Sequence, residues 1–241
     1  MTDARRVWLV ALAYWIVFGG LCLLLYPVMM TDSITRYAPM ADAFARGDWE
    51  LVFHPRFGVL FEVLCGCVCR LTGLSGAKAV QVVSTGFVAL SGIPLFFVAK
   101  RLFGASVAWW SLALLFVCDD LPRYAMDGLR DPGKCLAFAL MAYGAVARRT
   151  GWLGLGLFLL VTLVSYGFAV GSVALFAWCL YALVARPPAE VAADVRARLR
   201  LLPLPALGWA LGTAAVMAMT HAYTGHWLPA PHYIRILGAW L

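Results

Sequence analysis

Residues 152–185 form a run of 34 positions without one charged side chain. As a single helix that run would be about 51 Å long, well beyond the ~30 Å hydrocarbon core of a bilayer. It is too long for one crossing and suits two. Ser165, Tyr166 and Gly167 make the natural break between its halves. Both flanks are basic, with Arg148 and Arg149 before the run and Arg186 after it. Basic flanks collect on the cytoplasmic face of a membrane, so an even number of crossings between them fits. Further apolar runs at 7–29, 79–98, 105–117, 133–146 and 201–220 extend the pattern. None alternates polar with apolar residues as a barrel strand would. The expected fold is all-α, a polytopic helical membrane protein of about seven spans.

Composition agrees. Charged residues make up 13% of the chain and hydrophobic ones 63%. A soluble domain carries roughly a quarter charged residues. The net charge of +7 would raise the question of nucleic acid in a soluble protein. Here cytoplasmic loop bias accounts for it, and no nucleic-acid partner is expected. Residues 7–29 follow Arg5 and Arg6. They are too long for a signal peptide and lack a small-residue cleavage site, so they read as a retained first span with the amino end in the cytoplasm.

The polar content is concentrated in residues 31–57, with a second polar stretch at 118–133. Whether residues 58–73 cross the membrane decides which face these stretches occupy. If they cross, Lys100, Arg101, Arg148, Arg149 and the basic stretch 186–200 all fall outside, against the positive-inside rule. If they lie along the outer interface, those residues join Arg5 and Arg6 inside, opposed only by Asp3, Glu190 and Asp194. The second arrangement puts the whole excess of positive charge inside. Glu62 within the segment agrees, because a lone charge at mid-bilayer costs a few kcal/mol. Phe57, Leu60, Phe61 and Leu64 share one face at helical spacing, as an interfacial helix needs. Both polar stretches then lie on the outer face, and 187–200 is a cytoplasmic linker. The domain division is a transmembrane module over 1–220, containing outer loops at 31–78 and 118–133. An outer tail follows over 221–241, read as the start of a longer carboxyl-terminal region.

Cys65, Cys67 and Cys69 form a C-x-C-x-C cluster. That spacing does not readily wrap one zinc on a helix or a strand, so the cysteines are expected to pack as small hydrophobes. His221, His226 and His232 surround Trp227 and Pro229 and are expected to anchor the tail at the interface. Asp32 suits the cap of a short helix over 34–45, which Arg46 and Gly47 would end. Asp131, just before Pro132, suits the cap of the helix after it. Arg36, Arg56, Arg123, Arg130 and Lys134 give the outer face more basic side chains than the non-cytoplasmic side usually carries. They can pair locally with outer acids, or they can clamp a phosphate, which arginine matches with paired donors.

Taken together, Asp32, Tyr37 and Ala41, then Gly47, Asp48 and Trp49, then His54 and Pro55, resemble the first outer loop of the GT-C fold glycosyltransferases. The likeness is strongest to the branch of protein O-mannosyltransferases and aminoarabinose transferases. Leu102, Phe103 and Gly104 after Lys100 and Arg101 resemble its second region, as do Leu129, Arg130, Asp131 and Pro132. The likeness covers roughly residues 7–185. It implies transfer of a sugar from a polyprenyl-phosphate donor to a protein, lipid or glycan acceptor, at the outer face of a bacterial-type inner membrane.

In that reading Asp32 is the general base, and Asp131 orients the acceptor, the sugar or a metal ion. Arg36, Tyr37, His54, Arg56, Arg130 and Lys134 hold the lipid phosphate and sugar. No cofactor is certain, and a divalent cation, if one takes part, falls to Asp32 and Asp131. The chain departs from the family's pattern in three respects. Five residues instead of four separate Asp32 from Tyr37. Arg56 follows Pro55 where a second proline is usual. The family's further spans or soluble outer domain have no counterpart up to Leu241. A catalytically silent module that binds polyprenyl phosphate, or a subunit of a larger transferase, is the alternative. A small transporter ranks last, because the apolar runs hold almost no charge.

Overall fold

A computed structural model describes residues 2–28, 30–52, 59–163, 167–184, 201–225 and 227. Every regular element among them is helical. In chain order these are α1 (Asp3–Leu25), a π-helical turn (Ser33–Tyr37), α2 (Ala38–Arg46), α3 (Trp49–Val52), α4 (Val59–Thr72) and α5 (Gly76–Phe103). There follow α6 (Ala105–Val117), α7 (Asp120–Met126), α8 (Asp131–Val146), α9 (Thr150–Leu163), α10 (Gly167–Val184) and α11 (Pro203–Thr224). Helices α1, α5 and α11 are long and apolar enough to cross a membrane. α6 and α7 together reach that length, bent by 44° at a short break, so the count is three or four. α9 and residues 169–182 of α10 are apolar but shorter. The described residues of the 34-residue run form two helices, α9 ending at Leu163 and α10 starting at Gly167, and Ser165 and Tyr166 of the expected break lie outside the described residues.

Side-chain contacts fix the helix directions. Lys100 Nζ meets Asp3 Oδ2 at 2.6 Å, Trp15 Nε1 donates to Val82 O at 3.0 Å, and Gln81 Nε2 donates to Tyr26 O at 3.1 Å. α5 therefore runs antiparallel to α1, with its end beside the start of α1. Phe96 packs on Trp109, and Gly92 faces Leu112 and Phe116, so α6 turns back along α5. Phe87 lies beside Gly133 and Phe97 beside Tyr143, so α8 runs parallel to α5. α9 reverses against α8, with Gly144 at Leu153 and Gly156 at Met141. Trp178 Nε1 donates to Leu201 O and Trp209 Nε1 to Ser172 Oγ, so α10 and α11 are antiparallel.

α9 and α11 run parallel and meet backbone to backbone, because a Cβ on Gly208 would collide with Gly154 O. Close approach through small residues is how helices associate where lipid gives no hydrophobic drive. Outward, Trp110 (69% exposed), Val173 (69%) and Phe176 (65%) show apolar faces left uncovered among the described residues. Such surface is what a bilayer covers in a helical membrane protein.

α2, α3 and α4 occupy the connection between α1 and α5 without lengthening the stack. α4 lies against α2 and α5 and touches α9. Because the end of α5 returns to Asp3, the chain from 26 to 75 starts and ends at one end of the bundle. One expectation needs correcting. Glu62 does not sit in a polar interface, since it is 1% exposed and belongs to the inward face of α4 with Phe61, Cys65 and Cys69. Cys65 and Cys69, four apart, share that face, while Cys67 is only half-buried. Tyr37, Phe61, Cys65, Val80, Phe87, Leu129 and Leu163 pack into one apolar core. A second core joins α1, α5 and α6 around Val7, Phe96 and Leu112.

Candidate functional site

Asp32 lies at the start of the π-helical turn, in helical conformation, and its side chain makes no capping bond. Its carboxylate instead pairs with Arg36, Nη1 to Oδ1 at 2.9 Å. The expected short helix is present, and Gly47 ends it with φ +82°. Its first turn is wound wider than α, since Ala38 N–H reaches back five residues to Ser33 O. Such turns hold one residue more than an α-turn and recur at functional sites. Residues five apart here lie about as residues four apart do on an α-helix, so Asp32 and Tyr37 share a face.

The second polar stretch is pinned to α5. Ser84 Oγ donates to Leu129 O, and Gln81 Nε2 donates to Met126 O at 2.8 Å. Gly128 turns the chain at φ +68°, a conformation that favours glycine. A Cβ there would meet Val80 Cγ2 at 2.5 Å, so the turn also needs the missing side chain to seat against α5. Arg130 and Asp131 follow immediately. Asp131 is the first residue of α8, not its cap, and it pairs with Lys134 at 2.6 Å. Gln81 also holds Tyr26 O, so one fully buried side chain ties the end of α1 and the second polar stretch to the same point of α5.

The two stretches meet at Tyr37. Its ring is buried, stands edge-on to Phe61 at 5.3 Å, and has the Arg130 guanidinium carbon 5.6 Å from its centroid. Burial pushes the Tyr37 phenol up to about 12; Arg130 opposes this, and Glu62, Asp32 and Asp131 add to it. Both predicted carboxylates are thus within electrostatic reach of one hydroxyl. Arg130 is also placed to share its charge between the aromatic face and a ligand.

Glu62 is the participant that sequence reasoning missed. Both its oxygens are buried without a side-chain hydrogen-bond partner among the described residues. Burial raises its carboxyl from 4.5 to about 7, against the opposing pull of its own backbone N–H and of Arg130. The signal was present in the sequence: Glu62 lies among Phe61, Cys65 and Cys69 at helical spacing, the pattern of a buried face.

Of the residues expected to form the site, Asp32, Arg36, Tyr37, Arg130, Asp131 and Lys134 are described, and they fall on the two stretches that meet at Tyr37. His54 and Arg56 lie outside the described residues, as do His226 and His232. His221 stacks on Trp227 at 4.0 Å, and α11 continues past residue 220 to Thr224. Arg36 and Lys134 each bind the acid three or four residues before them, so local pairing is part of their role. Among the described residues no three His, Cys, Asp or Glu side chains gather as a metal would require. A divalent ion held by Asp32 and Asp131 would need a further ligand from elsewhere. No protein-family model, curated protein or solved structure matches the chain.

Proposed function

We propose that this protein is a membrane glycosyltransferase that moves a sugar from a polyprenyl-phosphate donor onto an acceptor at the outer face of the membrane. The observation that carries this reading is the convergence of residues 32–37 and 130–134 on Tyr37. Two half-exposed carboxylates and a set of cations then share one polar end of an apolar bundle. Seven transits suit the helix directions: α1, α6–α7, α9 and α11 run one way, and α5, α8 and α10 run the other. The π-helical turn also supports the resemblance, because it absorbs the one residue by which the Asp32 to Tyr37 spacing exceeds the family's four.

Asp32 takes the proton of the acceptor hydroxyl or amine as the new glycosidic bond forms. Geometry governs that role ahead of its pKa. The bond from the sugar to the phosphate breaks, and the phosphate leaves with the lipid. Arg130, Arg36 and Lys134 stabilise the charge that develops on it. For Arg36 and Lys134 that means exchanging a carboxylate for a phosphate, which is inexpensive because exposed ion pairs contribute about 1 kcal/mol or less. Those same pairs favour the second reading, a module that binds polyprenyl phosphate without turnover, since they hold both acids in the absence of substrate.

A panel of synthetic polyprenyl-phosphate sugars, with release of polyprenyl phosphate read by mass spectrometry, separates the two. The transferase reading expects release by the parent and a loss of roughly 100-fold or more in Asp32→Asn, with the variant still folded by thermal melting. Undiminished release in Asp32→Asn overturns Asp32 as the base. Binding without release across the panel establishes the silent module instead.

A further inference from the structure

A cleft of about 610 Å³ opens where α1 ends, between α2 and the start of α5, and Tyr37 is not part of its lining. Leu24, Tyr26 and Ile34 supply apolar walls, and Asp42, Lys78 and Gln81 supply its polar groups. Leu24 is 82% exposed at the end of a helix long and apolar enough to cross a membrane, so the cleft opens at the bilayer surface. Lys78 spends one of its three ammonium protons on Leu23 O. Asp42 accepts the Gly76 N–H through Oδ1 at 2.6 Å, which leaves Oδ2 for a donor. Gln81 is fully buried and commits its amide nitrogen to two carbonyls, Tyr26 O and Met126 O. Those two bonds fix the direction of the amide, and its Oε1 is left buried with no partner among the described residues. A buried acceptor without a donor is costly, and a ligand that donates to it recovers the loss.

We propose that this cleft binds the headgroup of an aminophospholipid, phosphatidylethanolamine, with Lys78 on the phosphate and Asp42 and Gln81 on the ammonium. The polar groups select among membrane lipids by chemistry. An anionic phosphatidylglycerol satisfies Lys78 but brings no cation to Asp42. A choline headgroup brings a cation with no N–H, so it leaves Oε1 of Gln81 unpaired. Only a primary ammonium joined to a phosphate by a short linker satisfies all three groups, while its acyl chains follow the apolar wall of α1. The site stands whether or not the protein transfers sugar, and its test uses no activity.

The test is retention of lipid by the purified full chain, read by native mass spectrometry after exchange into mixed micelles containing phosphatidylethanolamine, phosphatidylcholine or phosphatidylglycerol. Phosphatidylethanolamine should be retained in preference to both others. Lys78→Gln should weaken its retention by about tenfold, the loss of one charge-assisted contact. Because Lys78 also anchors Leu23 O, Ala77→Trp provides a second variant that fills the cleft without removing that anchor. Equal retention of the three lipids overturns the proposal, as does undiminished phosphatidylethanolamine binding in Ala77→Trp. Free phosphoethanolamine bound as tightly as the lipid overturns the lipid as occupant.

Discussion

Glu62 shows how a single side chain can be visible in a sequence and still be placed wrongly. A charge inside an otherwise apolar segment points to a polar interface when only span-forming cost is weighed. The alternative is a carboxyl placed inside the protein, where burial makes it hold its proton to higher pH, and its 1% exposure selects that alternative. Its acidity then links proton uptake to folding. With the folded value raised from 4.5 to about 7, the folded state keeps a proton that the unfolded chain has lost between those values. Stability is therefore greatest below the unfolded value, falls as pH rises through that window, and levels off above the folded value. The whole effect is on the order of 3 kcal/mol. Thermal melts in detergent at several values between pH 5 and 8 should show the parent losing stability with rising pH. Glu62→Gln should flatten that dependence and melt above the parent at pH 8. The same slope in both would mean another group sets it. Asp32 and Asp131 were legible because residue type and neighbouring proline or arginine mark them. Their pairing with Arg36 and Lys134 was legible only as one of two options, since i, i+3 and i, i+4 neighbours on a helix meet whenever nothing stronger competes.

The elements were read correctly where glycine punctuates them. Gly47 ends α2 at φ +82° and Gly104 follows α5 at φ +93°, and both positions fall where sequence places a boundary. The π-helical turn was not legible, because no residue type marks it; only the odd Asp32 to Tyr37 spacing hinted at it. If the turn exists to hold one extra residue, that residue is dispensable. Ile34 is the candidate for removal, since its side chain is 49% exposed and Ser33 beside it is fully buried. Deleting Ile34 should let the turn close to α, keep Asp32 and Tyr37 on one face, and lower the melting temperature by only a few degrees, equivalent to about 1 kcal/mol. Deleting Ala43, which is fully buried in α2, rotates everything after it by about 100° and should unfold the segment. Equal damage from the two deletions would show that the turn is not a tolerated insertion. The bend between α6 and α7 was likewise missed. Residues 105–117 read as a span of their own, whereas a 44° bend joins them to a short helix that carries the second polar stretch.

For the molecule as a whole, hydropathy was enough to predict an all-helical chain with several helices long and apolar enough to cross a membrane. The packing order was not available from sequence, because apolar helices resemble one another until contacts such as Gly154 with Gly208 select neighbours. The assignment of one end to one membrane face can be tested directly. Asp3 and Lys100 are in contact, so the start of α1 and the end of α5 share an end. Arg148 and Arg149 follow α8, which runs parallel to α5, and they belong to that same end. Ser75, just before α5, belongs to the opposite end. In a cysteine-free background, Ser75→Cys should react with a membrane-impermeant maleimide in intact cells. Thr150→Cys, at the start of α9, should react only after permeabilisation. The excess of Arg and Lys at the Thr150 end sets that direction, because such residues stay on the cytoplasmic side. Reaction of both positions from outside would mean that α8 does not run with α5 across the membrane. Reversed labelling would put Asp32, Tyr37 and Arg130 on the cytoplasmic side, where an outward-facing polyprenyl-phosphate sugar could not reach them.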